Sequence, residues 1–169
     1  MIRASLLAVA LLAGCASYVA PDPVRLPRDS VEGAGDPTRA AISRSAYAFA
    51  NQAGLSGQPG QMARAIADME FLAAALPFDP RYQQRDPLLP VQLAQARAEW
   101  RAALGIPAEQ PAQPVIDSLY AFARTGEPLN AERMARLAAM PPLPQTARAA
   151  AAAARVQFEA QFPTGRRRF

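Results

Sequence analysis

The chain has 169 residues, a size that fits one domain, with 51% hydrophobic residues, 18 basic against 14 acidic side chains and a net charge of +4. It has a single cysteine, no histidine and no lysine, so every basic residue is an arginine. Ser-His, Cys-His and Ser-Lys nucleophile pairs, lysine Schiff bases and a lysine-bearing phosphate loop are thereby excluded. Much of the apolar content is alanine, so a core of small side chains is expected. The excess charge sits at the ends, in Arg3 and in Arg166, Arg167 and Arg168; without these four, the arginines equal the acidic residues in number. A balanced body argues against a nucleic-acid-binding face. The absence of lysine beside abundant alanine reads as the codon habit of a GC-rich genome.

In chain order, Met1-Ile2-Arg3 places one positive charge ahead of an apolar run from Ala4 to Ala13, interrupted only by Ser5. The run has the length of a signal-peptide core and is too short to span a bilayer. It ends in Leu12-Ala13-Gly14-Cys15, which resembles the lipobox of bacterial lipoprotein signal peptides. The resemblance covers residues 1–15. It implies that Cys15 receives a diacylglyceryl thioether, that the chain is cut before it, and that the new amine is acylated. Several acyl chains on one residue would hold a membrane firmly, where one chain binds only marginally. Cys15 being the only cysteine, no internal disulfide is possible, and zinc sites lose their last ligand type besides carboxylates. An aspartate after the cysteine retains lipoproteins in the inner membrane of enteric bacteria; by that resemblance Ala16 favours the outer membrane, facing the periplasm. An ordinary secretory signal cut after Ala16 or Ala20, or an apolar helix buried in the fold, are the alternatives.

Residues 15–36 read as the lipidated cysteine and a flexible linker. Pro21, Pro23 and Pro27 interrupt helix, and Gly33 and Gly35 add freedom. A free linker of this size has a mean reach of roughly 25 Å and extends to about 70 Å. The alternative is that Val24 to Val31 packs along the domain.

A helical domain is predicted over residues 37–163. Asp36-Pro37 opens the first helix, with Ile42, Ala46, Phe49 and Ala53 on one face and Tyr47 at its edge. After the Gly57–Gly60 turn, a second helix carries Met62, Ile66, Met69, Ala73 and Leu76, widened by Phe71 and Leu72. Phe78 to Pro90 is irregular, because three X-Pro steps push the preceding residue away from helix. A third helix from about Pro90 to Leu104 presents Leu89, Leu93, Ala96, Trp100 and Ala103. A fourth, about Pro114 to Arg124, turns Val115, Ile116, Leu119, Tyr120 and Ala123 inward. Asn130 caps a short fifth with Met134, Leu137 and Ala138, on which Glu132 and Arg136 are suitably spaced to pair. The last runs from Pro144 to about Gln161, with Ala147, Ala151, Ala154, Phe158 and Phe162 as its inner stripe. Residues 164–169 form a basic tail. The fold class is all-α: about six short helices in a small orthogonal or up-down bundle, after a cleaved signal helix at 1–14 and a disordered tether.

No catalytic residue, cofactor or metal site is assigned. Among carboxylates, Asp68 and Glu70 lie two apart on a helix and point to different faces; Asp68 is spaced to pair with Arg64 at the surface. Asp79 and Asp86 flank the irregular loop and could meet across it for acid–base work on cell-wall glycan, against the plainer reading of a solvated loop. Trp100 and Tyr120 are candidate ligand or partner contacts, against the plainer reading of Trp100 as core. Arg166, Arg167 and Arg168 are candidate contacts to anionic lipid or an acidic partner. The functional expectation is a non-enzymatic, lipid-anchored envelope protein whose domain binds another envelope protein. A binding module for a small apolar ligand is second.

Overall fold

The structure is a computed structural model and describes residues 23–31, 35–82, 85–126 and 131–162. Its described regular elements are all helical. The α-helices are α1 (Pro37–Ala50), α2 (Pro59–Ala75), α3 (Leu89–Leu104), α4 (Ala112–Thr125), α5 (Ala131–Ala138) and α6 (Pro144–Gln161). Three single turns of 3₁₀-helix occur at Arg28–Ser30, Gln52–Leu55 and Leu76–Phe78. The all-α expectation of about six helices is met. The signal segment, Cys15 and the tail with Arg166, Arg167 and Arg168 lie outside the described residues.

Local chemistry sets most boundaries. The Asp36 carboxylate accepts from the Thr38 and Arg39 amides at 2.8 and 3.3 Å, occupying donors that have no partner within α1. Proline stands in the first turn of α1, α2, α3 and α6, where its missing N–H costs nothing. Gly105 and Gly126 end α3 and α4 with φ of 63° and 65°, a left-handed conformation that other residues adopt only under strain. The N-terminus of α6 is capped from a distance instead. Glu99 on α3 accepts from the Thr146 amide at 2.8 Å, its hydroxyl at 2.7 Å and the Gln145 amide at 3.2 Å.

α2 is the axis of the bundle. From Met62 to Leu72 every side chain but Arg64 is buried, as expected of a helix apolar nearly all round. It packs against α1, α3, α4 and α5, while α6 packs against α1 and α3 on the outer side. Neighbouring contacts fix the directions. Gly60 at the start of α2 meets Ala123 near the end of α4, and Asp68 meets Tyr120. Glu70 binds Arg97 and Arg101, whereas Leu76 and Leu89 share a hollow at the other end of α3. Arg81, shortly past the end of α2, binds Asp36 at the start of α1. α1, α3 and α4 therefore run antiparallel to α2. α6 runs parallel to α2, with Glu99 at its start and Asp86 beside Arg155 near its end.

Residues 23–31 fall within the stretch read as linker, yet they lie against α4, the alternative weighed for Val24 to Val31. The Arg25 amide donates to Gln113 Oε1 at 2.7 Å, and Gln113 Nε2 returns a bond to the Arg25 carbonyl at 3.0 Å. Val24 and Leu26 pack on the core, Ser30 is buried, and Asp29 pairs with Arg124 at 2.8 Å. The strap thus runs from the first turn of α4 to its last.

Three side-chain assignments need correction. α1 ends at Ala50, so Ala53 lies beyond it, in the following 3₁₀ turn, and is exposed. Tyr47 is 75% exposed and is no core edge. The inner face of α6 is Thr146, Ala149, Ala150, Ala152, Ala153 and Val156, and Phe158 is exposed. The alanine run has no polar side of its own, so its periodicity does not say which face is covered; α1 and α3 decide that.

Gly105 offers a test of the α3 ending. An added Cβ would meet Arg136 Nη1 at 2.7 Å, and the positive φ would remain strained even if that arginine swung away. Gly105→Ala is expected to lower stability by about 1 kcal/mol, read as a lower urea midpoint with unchanged slope.

Candidate functional site

The chemistry of the chain is concentrated on two buried carboxylates of α2, two residues apart and facing opposite ways. Glu70 faces α3. Arg97 donates to its Oε1 from Nε at 2.9 Å and from Nη2 at 2.6 Å; Trp100 Nε1 donates to Oε2 at 2.8 Å. Arg101 adds Nε to Oε2 at 3.3 Å and a short bond from Nη2 to Oε1. The other arm of Arg101, Nη1, donates to the carbonyls of Pro107, Ala108 and Gln110 at 2.8–2.9 Å. One guanidinium thus fastens α2, α3 and the loop leading to α4. Burial pushes the Glu70 carboxyl up, but the hydrogen bonds from Arg101 and Arg97 outweigh it and hold it below the usual glutamate value.

Asp68 faces α1 and α4. Arg44 grips it with two parallel bonds, Nε to Oδ2 and Nη2 to Oδ1, both 2.8 Å, and the Tyr120 hydroxyl donates a short bond to Oδ1. Arg44 also reaches the Ser30 carbonyl at 2.9 Å and the Tyr120 oxygen at 3.0 Å. Arg64 donates to the same carbonyl at 3.2 Å and lies over the Tyr120 ring, 6.0 Å from its centroid. Here burial wins: the Asp68 carboxyl is pushed above the usual aspartate value despite Arg44 and Tyr120. The Tyr120 hydroxyl is pushed up by burial first and then by the Asp68 charge. The expected surface pair of Asp68 with Arg64 is not formed; Asp68 is fully buried and Arg64 turns to the strap.

These networks relocate the sequence candidates. Trp100 and Tyr120 are both core, 0% and 2% exposed, with their polar atoms bonded to Glu70 and Asp68, so neither lines a groove. Asp79 and Asp86 are held by different arginines. Asp79 takes Arg81 Nη2 at 2.7 Å, while Asp86 takes Arg155 at 2.9 Å. The Arg81 hydrogen bonds hold the Asp79 carboxyl below its ordinary value, the wrong direction for a general acid. Arg81 also binds Asp36, tying the loop to the α1 cap. The Glu132–Arg136 pair forms at 2.6 Å.

The surface carries several hollows, two of about 580 Å³ beside Val24 and Phe78 among them; two others stand at the two ends of the bundle. At the α2 N-terminal end, Leu55, Met62, Leu137, Met140 and Pro142 enclose, with Gln52, a hollow of about 580 Å³. At the opposite end, Arg39, Arg81, Tyr82, Arg85 and Gln157 border a cavity of about 230 Å³. Among the described residues no group of three or more His, Cys, Asp or Glu side chains is placed to hold a metal ion, and no helix is long and apolar enough to cross a membrane. No protein-family model, curated protein or solved structure matches the chain.

Sequence reasoning missed the role of the two carboxylates, although a signal was present. Both lie inside the apolar run Ala65-Ile66-Ala67-Asp68-Met69-Glu70-Phe71-Leu72, where a charge is retained only if partnered. Glu70→Gln leaves Arg101 buried opposite a neutral amide and is expected to cost about 3–5 kcal/mol at pH 7. Because the folded value of Glu70 is lowered, its contribution is present above about pH 4.5 and is lost as pH falls through the lower folded value. Asp68, being raised, works in the opposite sense over its own range. Urea midpoints at pH 7, 4.5 and 3.5 should therefore fall more shallowly on acidification for Glu70→Gln than for the wild type.

Proposed function

We propose that this protein is a lipid-tethered, non-enzymatic domain of the bacterial cell envelope that binds another envelope protein. The observation that carries the reading is Leu12-Ala13-Gly14-Cys15, with the only cysteine of the chain at the position that lipidation requires. The disposition of the charged side chains supports it. Asp68, Glu70, Asp79 and Asp86 are each bound by arginine, and the first two are sealed between helices, so these acids serve packing. The hollow bordered by Met62, Met140, Leu55 and Leu137 supplies a partner surface, since methionine adapts its shape to an incoming side chain. A small apolar ligand is the second reading, favoured by the volume of the same hollow, which lies within the range of small-molecule sites.

The test begins with the anchor. Wild-type protein in cells fed labelled fatty acid should take up label and fractionate with membranes, and Cys15→Ser should do neither. A photo-crosslinking residue at exposed Ala138, on the rim of the hollow, should then capture a discrete envelope protein from intact membranes. An unlabelled wild-type protein would remove the anchor. A lipid co-purifying in place of a protein crosslink would favour the second reading.

A further inference from the structure

Five of the six large apolar side chains left exposed among the described residues belong to one end of the bundle: Phe78, Leu88, Val91, Phe158 and Phe162. This is the end where α2 and α6 finish and α1 and α3 begin. Phe158, in the last turn of α6, and Phe162, its C-cap, pack against each other with ring centroids 4.9 Å apart and planes tilted by 43°. The loop leading to Leu88 is pinned beside them, Asp86 by Arg155 at 2.9 Å and Arg85 to the Glu159 carbonyl at 3.3 Å. α6 buries its alanine face and leaves the rings of Phe158 and Phe162 outside.

The first and the last described residues both lie at this end. The strap begins at Pro23 and Val24, beside Ala74 and Phe78. Only eight residues separate Cys15 from Val24; fully extended they span at most about 30 Å. After Phe162 the sequence continues into Arg166, Arg167 and Arg168. Within the described residues this end carries Arg39, Arg81, Arg85 and Arg155 against Asp36, Asp79, Asp86 and Glu159; Arg81 holds Asp36 and Asp79, and Arg155 holds Asp86. Arg39 makes no side-chain hydrogen bond and borders the 230 Å³ cavity with Arg85 and Gln157, whose buried Oε1 has no partner.

We propose that this end of the bundle is a membrane-docking surface whose occupant is the anionic phospholipid bilayer holding Cys15. Phe158, Phe162, Leu88 and Val91 enter the boundary between headgroups and acyl chains, and Arg39 meets headgroup phosphates. The proposal rests on the lipid-anchor reading of Cys15. Exposed apolar side chains flanked by arginines are the composition of interfacial binding. A short tether keeps the surface at high effective concentration, so a weak intrinsic affinity suffices. The opposite end, with the Met62–Met140 hollow, then faces away from the membrane and toward a partner.

The full-length processed protein, reconstituted in phosphatidylglycerol–phosphatidylethanolamine vesicles, tests this. An environment-sensitive fluorophore is attached through Phe162→Cys in one sample and Tyr47→Cys in another. The expected result is a blue shift and quenching by spin-labelled lipid at position 162 but not at position 47, reduced in Arg39→Gln and in vesicles of phosphatidylcholine alone. A label at 162 as water-exposed as that at 47 overturns the proposal, as does a blue shift in lipid-free solution that grows with protein concentration, which would mark self-association. Mass spectrometry of the same preparation reports on Cys15 separately. Should Cys15 prove unmodified, full-length protein is added to preformed vesicles instead: cosedimentation reduced about tenfold by the double change Phe158→Ser and Phe162→Ser supports the surface without the anchor, and no cosedimentation overturns it.

Discussion

The carboxylate of Glu70 is the constraint on which the rest of the structure turns. It lies at the middle of the most buried helix, where an unpaired charge would cost several kcal/mol, and its two oxygens take donors from two arginines and the only tryptophan. Through Arg101 the same point holds three carbonyls of the α3–α4 loop and so sets where α4 begins its run along α2. Asp68, on the other side of α2, does the equivalent for α1, α4 and the strap. Four helices and two connecting segments are thus located by two acids.

These charges supply what the alanine-rich interfaces lack. Small, uniform side chains let helices approach closely, but they interlock about as well at one offset as at the next. Sliding α3 by one turn against α2 would leave Arg101 buried without its acceptor. The ionic contacts therefore add to the fit of Trp100, Leu93 and Leu104 against α2 in fixing the register. The choice of arginine matters physically even if its abundance reflects codon usage. Arg101 uses three nitrogens in a fixed plane toward two different targets, and Arg44 grips Asp68 with two parallel bonds; a lysine ammonium could not reproduce either.

The same arrangement gives the molecule two unlike ends. One carries the exposed aromatic and aliphatic side chains together with the start of the strap and the end of α6. The other carries the methionine-lined hollow under α5. On the proposed reading the docked strap shortens the free tether and so defines which end meets the bilayer. An anchor that only retained the protein would leave orientation open; a strap fixed along α4 by Gln113, Arg124, Arg44 and Arg64 does not.

By itself the sequence determined the number, order and approximate limits of the helices. Proline at helix starts, Gly105 and Gly126 at helix ends, and apolar spacing such as Leu89-Leu93-Ala96-Trp100 are local features that act over one or two turns. It also determined that Asp68 and Glu70 face apart, since that follows from helix geometry alone. Only the tertiary structure decided that Asp68 pairs with Arg44 rather than with nearby Arg64, that Glu99 caps α6 from another helix, that residues 23–31 lie on α4, and that Ala149, Ala150, Ala152 and Ala153 rather than Phe158 form the covered side of α6. The partners in those contacts are separated by tens of residues, and several arginines lie within reach of each acid in the unfolded chain. Which one pairs is settled when burial makes an unsatisfied charge intolerable, and burial is a property of the assembled helices.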